Sequence, residues 1–149
     1  MKRILILFLA MVLLLVSCQQ KPRYWEFERN FSEVTEIKIV DVSAGHYYSK
    51  DYEIIKELDI GLVEELYNDI EAFEMKKYGT NLKTPRGKCF MIVFANGEYD
   101  LISEVEPKRF RYDENGNLQA YNSWLKSDTE AFAELIDKYL NKTYDTSLS

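Results

Sequence analysis

The stretch Lys88-Cys89-Phe90-Met91-Ile92-Val93-Phe94 is apolar at every position after Lys88. A strand buried on one face alone alternates apolar with polar residues, so an unbroken apolar run predicts a central strand covered on both faces. Asn96-Gly97 follows at once, a strong signal for a two-residue hairpin turn, and the chain returns through Tyr99, Leu101 and Ser103. Cys89 reads as a buried, inert thiol, because apolar surroundings oppose the thiolate.

Other elements gather around this hairpin. Between Val34 and Val42, Ile37 and Ile39 alternate with Glu36 and Lys38, which predicts a first strand, and a weaker one runs near Tyr52 to Leu58. Asp59 offers a cap. Leu62, Val63, Leu66, Tyr67, Ile70 and Phe73 then recur at the spacing of an amphipathic helix of about 15 residues. Its acidic residues Glu64, Glu65, Asp69, Glu71 and Glu74 form the solvated face. Asp113-Glu114-Asn115-Gly116 makes a second turn between 110–112 and 118–121, so the strands form an antiparallel meander. Ser127 with Glu130 is a capping box, and Phe132, Leu135, Ile136, Tyr139 and Leu140 form the apolar stripe of a closing helix. The order β-β-α-β-β-β-β-α predicts an α+β fold, an antiparallel sheet of about five to six strands with two helices packed on one face. The other sheet face is then exposed or covered by a partner.

The amino terminus constrains where such a domain works. Met1-Lys2-Arg3 is followed by thirteen apolar residues, Ile4 to Val16, and then by Ser17-Cys18. A cationic start before a short apolar run is the layout of an export signal. At about 1.5 Å per residue the run spans ~20 Å, short of the ~30 Å hydrocarbon core a stable transmembrane helix must cross. Leu15-Val16-Ser17-Cys18 resembles the lipobox of bacterial lipoproteins. The resemblance covers the first eighteen residues. It implies cleavage before Cys18, diacylglyceryl transfer to its thiol, and display on the extracytoplasmic side of the cell membrane. Two buried acyl chains hold a protein firmly where one holds it marginally. With Gln19 rather than Asp after the cysteine, similarity to Gram-negative lipoproteins implies no retention at an inner membrane; the sequence does not choose between envelope types.

The expected organisation is therefore a signal peptide over 1–17, a lipidated tether over 18–32 and a single domain over 33–149. The tether carries Tyr24, Trp25, Phe27 and Phe31, rings with two places to go, the headgroup level or the domain itself. With Cys18 spent on lipid, Cys89 has no partner for an intrachain disulfide, and stability must come from packing. Cleavage also removes Lys2 and Arg3, leaving 17 Lys and Arg against 25 Asp and Glu, a net charge of −8. That sign argues against nucleic acid as a partner.

Three segments are candidate sites. His46-Tyr47-Tyr48 with Tyr52 follows Gly45 and suits stacking of a ligand on aromatic rings; a Tyr-rich surface hairpin is the plainer explanation. The segment 76–88 gathers Lys76, Lys77, Lys83 and Arg86 in an acidic protein and suits an anionic glycan, a phosphate or an acidic partner. Asp113, Asn115 and Asn117 alternate as at the start of a calcium loop, but the glycine stands at the fourth position instead of the sixth, and no Glu closes the twelfth. A hairpin turn accounts for them. No motif calls for a cofactor, a metal or a catalytic set. The mature region is similar in layout to small extracytoplasmic lipoproteins of Gram-positive bacteria, a resemblance that transfers no catalytic residue. The functional expectation is a membrane-anchored binding or interaction module for an envelope protein, peptide or glycan. The rival is an envelope hydrolase using His46 with a carboxylate.

Overall fold

A computed structural model describes residues 23–42, 52–75, 84–105, 107–122 and 129–142. In chain order the elements are β1 (Arg23–Tyr24), a 3-10 turn (Phe31–Glu33), β2 (Val34–Val42), β3 (Tyr52–Leu58), a second 3-10 turn (Ile60–Leu62), α1 (Val63–Glu71), β4 (Glu74–Met75), β5 (Gly87–Phe94), β6 (Tyr99–Ser103), β7 (Arg109–Tyr112), β8 (Leu118–Asn122) and α2 (Thr129–Asn141). Six strands form one antiparallel sheet in the order β3-β2-β5-β6-β7-β8. This is the expected α+β arrangement, and β5, the apolar run, lies inside the sheet between β2 and β6.

Strand alternation sorts the side chains into two clusters. Ile37 and Ile39 of β2, Phe90, Ile92 and Phe94 of β5 and Ile102 of β6 face both helices, meeting Leu66 and Ile70 of α1 and Phe132, Ile136 and Tyr139 of α2. Phe90 meets the rings of Phe132 and Tyr139 edge-on, at 6.0 and 5.6 Å. The intervening residues Val40, Cys89, Met91, Leu101, Phe110 and Tyr112 form a second cluster on the opposite face. That face, which the pattern leaves exposed or partner-covered, is buried in the protein itself: Val40, Cys89 and Leu101 have no exposed surface. Both faces of β5 are thus withdrawn from water, at about 1.5–3 kcal/mol for each fully buried large apolar side chain.

Local chemistry departs from expectation at two places. Asp59 does cap a helix start, accepting from the Gly61 N–H at 2.6 Å, but the turn it caps is the 3-10 turn Ile60–Leu62. Regular helix then lasts nine residues, ending where Glu74–Met75 pairs with Arg23–Tyr24 as a two-stranded ribbon. The Asn96-Gly97 hairpin uses a three-residue loop instead of two. The Gly97 N–H donates to the Phe94 carbonyl and the Phe94 N–H to the Glu98 carbonyl, both at 2.9 Å. Gly97 sits at φ 83°, where a side chain is strained, as does Gly116 at φ 82° in the same position of the second hairpin.

The carboxyl end of α2 is closed by a lysine from across the sheet. Lys56 Nζ donates to the carbonyls of Tyr139, Leu140 and Lys142 at 3.0, 2.9 and 2.7 Å. Its charge also suits the negative end of the helix dipole. Ser127 of the expected capping box lies outside the described residues. Among the described residues no helix is long and apolar enough to cross a membrane.

Candidate functional site

The helix-side face of the sheet changes character along its width. Over β2 and β5 it is apolar, but at the far side the same alternation puts Asp100 of β6 and Arg109 and Arg111 of β7 on it. Among the described residues no helix side chain is hydrogen-bonded to these three; the segment between β1 and the first 3-10 turn reaches them instead. Trp25 is buried, its backbone N–H donating to the Phe73 carbonyl at 3.2 Å. Phe27 stacks on Tyr67 of α1 with ring centroids 3.7 Å apart. Of the four amino-terminal rings, Trp25 and Phe27 therefore pack on the body, Phe31 is exposed but meets Tyr67 edge-on at 6.3 Å, and Tyr24 is exposed.

This placement brings Glu28 and Arg29 onto the sheet. Glu28 bridges two arginines, one oxygen each: Arg109 Nη2 donates to Oε1 at 2.6 Å and Arg111 Nη1 to Oε2 at 3.0 Å. Arg29 pairs with Glu98 and donates to Asn96 Oδ1 in the β5–β6 turn. Asp100, with no exposed surface, accepts from Arg111 Nε and Nη2, each at 2.8 Å. Arg109 Nε stands 4.0 Å from Asp100. The guanidiniums of Arg29 and Arg111 lie 4.8 and 5.7 Å from the Phe94 ring centroid, and that of Arg109 lies 5.9 Å from that of Trp25.

Charge follows geometry. The hydrogen bond from Arg109, reinforced by the charges of both arginines, holds the Glu28 carboxyl below the usual carboxylate range. Arg111 is raised, chiefly by its bonds to Asp100. Burial, with the nearby Asp100 charge, pushes the Tyr67 phenol well above its ordinary value, so Tyr67 is a neutral hydroxyl here. Among the described residues, three buried atoms around this cluster have no hydrogen-bond partner: Trp25 Nε1, Tyr67 Oη and Arg109 Nη1. Such orphans are uncommon in a packed interior.

Periodicity and motif reading missed this cluster. The signals were a lone Asp inside the apolar strand 99–103 and the alternation Arg109-Phe110-Arg111-Tyr112. Their meaning depends on the register that sets Asp100 opposite Arg111.

The sites read from sequence fall elsewhere. Cys18, His46, Tyr47, Tyr48, Lys76, Lys77 and Lys83 lie outside the described residues. Tyr52 is half-buried against the second cluster. Arg86 is exposed, and its backbone is tied to Ser103, whose Oγ accepts from the Arg86 N–H at 3.2 Å and donates to its carbonyl at 2.6 Å. Register brings two described flanks together: Val42 is opposite both Tyr52 and Gly87, so Tyr52 and the start of β5 at Gly87, next to Arg86, lie at the same end of the sheet. Asp113 serves its hairpin turn, accepting at Oδ1 from the backbone N–H groups of Asn115 and Asn117 at 2.9 and 2.8 Å. Among the described residues no cluster has the make-up of a metal site. Burial pushes the Cys89 thiol far up, as expected for an inert cysteine. Comparison with protein-family models, with curated proteins and with solved structures finds no match to this chain.

Proposed function

We propose that this chain is a lipid-anchored extracytoplasmic protein whose single domain works as a binding or protein-interaction module at the surface of the cell membrane. The observation that carries the reading is the order at the amino terminus: Lys2-Arg3, the apolar run Ile4 to Val16, Leu15-Val16-Ser17-Cys18, and then a folded segment from Arg23 onward. Five chain steps separate Cys18 from Arg23, at most about 18 Å even fully extended. A lipid on Cys18 would hold the body close to the headgroups. The binding part of the reading is supported by the shared sheet end of the two loop flanks, Tyr52 and Arg86, and by the charged cluster around Arg109. The partner class is an envelope protein, peptide or glycan.

Mass spectrometry of the protein from membranes, beside a Cys18→Ser variant, tests the anchor. The expected wild-type mass lacks residues 1–17 and carries acyl chains, while Cys18→Ser carries none. A wild-type chain that retains Met1 to Ser17 without lipid would sink the reading. Crosslinking in the intact envelope tests the binding role, with a reproducible partner as the expected result.

A further inference from the structure

We propose that Arg109, Arg111 and the indole N–H of Trp25 form a carboxylate-binding site in which Glu28 is an internal occupant. The proposal rests on the binding reading above and gives it a ligand class.

The first ground is how Glu28 sits. Its carboxylate takes one hydrogen bond from each arginine, at 2.6 and 3.0 Å, the way a ligand carboxylate is held between two guanidiniums. Yet the Glu28 side chain is 58% exposed while that of Arg109 is 4% exposed. The hydrogen-bonded partner of this buried cation is a surface acid on a different segment, while the sheet's own Asp100 stands off at 4.0 Å.

The second ground is the charge balance. Arg111 is satisfied by the two-bond fork to Asp100, but Arg109 comes no nearer than 4.0 Å to that carboxylate. Without Glu28, Arg109 and Arg111 are left with Asp100, and with Glu98, which Arg29 already pairs. The vacated position is cationic and already has the shape of a carboxylate.

The third ground is a surplus of donors. Arg109 Nη1 and Trp25 Nε1 are both buried and unpartnered, on residues whose guanidinium and ring lie against each other. Glu28 reaches neither. An incoming carboxylate with an adjoining carbonyl or hydroxyl oxygen has acceptors for the bonds that Glu28 makes and for one that it does not. A buried donor left without an acceptor is costly, so filling it favours the ligand over the internal occupant. Asp100 and Glu98 close by disfavour a dianion, which makes a carboxylate a better occupant than a phosphate.

Glu28 can also leave without undoing its segment. The Trp25 N–H bond to Phe73, the Phe27 stack on Tyr67 and the ribbon of β1 with β4 are independent of its side chain.

The test is a titration of the full chain in detergent micelles, followed through the indole N–H resonance of Trp25 and assigned with a Trp124→Phe variant. The probes are acetate, trialanine with a free or an amidated carboxyl terminus, and inorganic phosphate. Glu28→Ala should give a saturable shift with acetate or free trialanine, at least about tenfold tighter than wild type because the competing carboxylate is gone. Glu28→Ala/Arg109→Lys should lose it. Preference for free over amidated trialanine supports a peptide terminus as ligand, and equal binding of acetate supports a small acid. A Glu28→Ala chain with native amide dispersion and no saturable shift would overturn the proposal, as would tighter binding of phosphate than of acetate. If Glu28→Ala does not fold, Glu28→Gln, which keeps the side-chain shape and drops the charge, decides by the same criteria. None of these outcomes depends on lipid at Cys18, so failure here is distinct from failure of the anchor.

Discussion

Arg111 grips Asp100 with two parallel 2.8 Å hydrogen bonds across the β6–β7 pairing, and Asp100 has no exposed surface at all. Losing one member of this pair leaves Arg111 with only the surface acid Glu28, or Asp100 with only Arg109 at 4.0 Å, at a cost of up to about 3–5 kcal/mol. Asp100→Asn and Arg111→Met should each lower stability by about that much in urea unfolding. Asp100→Leu combined with Arg111→Met should recover most of the loss. Additive losses in that double variant would contradict the pairing.

Glu28 gives the cluster a pH signature. Its carboxyl is held below the ordinary value of 4.5, so its contribution is complete above that pH and is lost as pH falls through the lower folded-state value. Glu65 and Asp113 are shifted the same way and weaken the wild type over the same range. The specific quantity is therefore wild-type stability minus that of Glu28→Gln, from urea midpoints at a series of pH values. The difference should be small, under about 1 kcal/mol, because Glu28 is largely exposed. It should shrink toward zero in acid, and a difference that grows with falling pH would have the wrong sign.

Lys56 offers a third test. It reaches from β3 to three carbonyls at the end of α2, replacing intrahelical partners that those groups lack. Lys56→Met keeps the apolar stem and removes the donors, and should cost about 1–2 kcal/mol. Faster amide exchange should appear in the last turn of α2 and not in α1. Uniform loss across both helices would mean that Lys56 acts through packing alone.

Cys89 should be silent to thiol reagents. Burial in the second cluster removes access and raises the thiol far above neutral pH. In a Cys18→Ser background, labelling of the native chain should be at least about a hundredfold slower than in urea, since it requires opening of the sheet interior. Rapid native labelling would show that the second sheet face is open.

Much of the framework is legible because it is written in short-range patterns. The run 89–94 announces a covered strand, Asn96-Gly97 and Asn115-Gly116 announce hairpins, and the stripes from Leu62 and from Phe132 announce helices. Each needs only neighbours within a turn or a hairpin. Loop length at Gly97 is less legible, because the same dipeptide serves a two-residue turn or the third position of a longer one. The charged cluster is least so. Asp100 and Arg111 are eleven residues apart and meet through register, but Glu28 finds Arg109 across 81 residues and Arg111 across 83. The ribbon of β1 with β4 is two residues on each side, too short for any periodicity.

That separation bears on how the protein comes into being. Glu28 and Arg29 are made well before their side-chain partners Glu98, Arg109 and Arg111, which follow 69 to 83 residues later. Contacts so distant in sequence close late, after local hairpins and helices have formed. The amino-terminal segment that is synthesised early is thus the piece that locks last, and its docking is a natural final step of maturation.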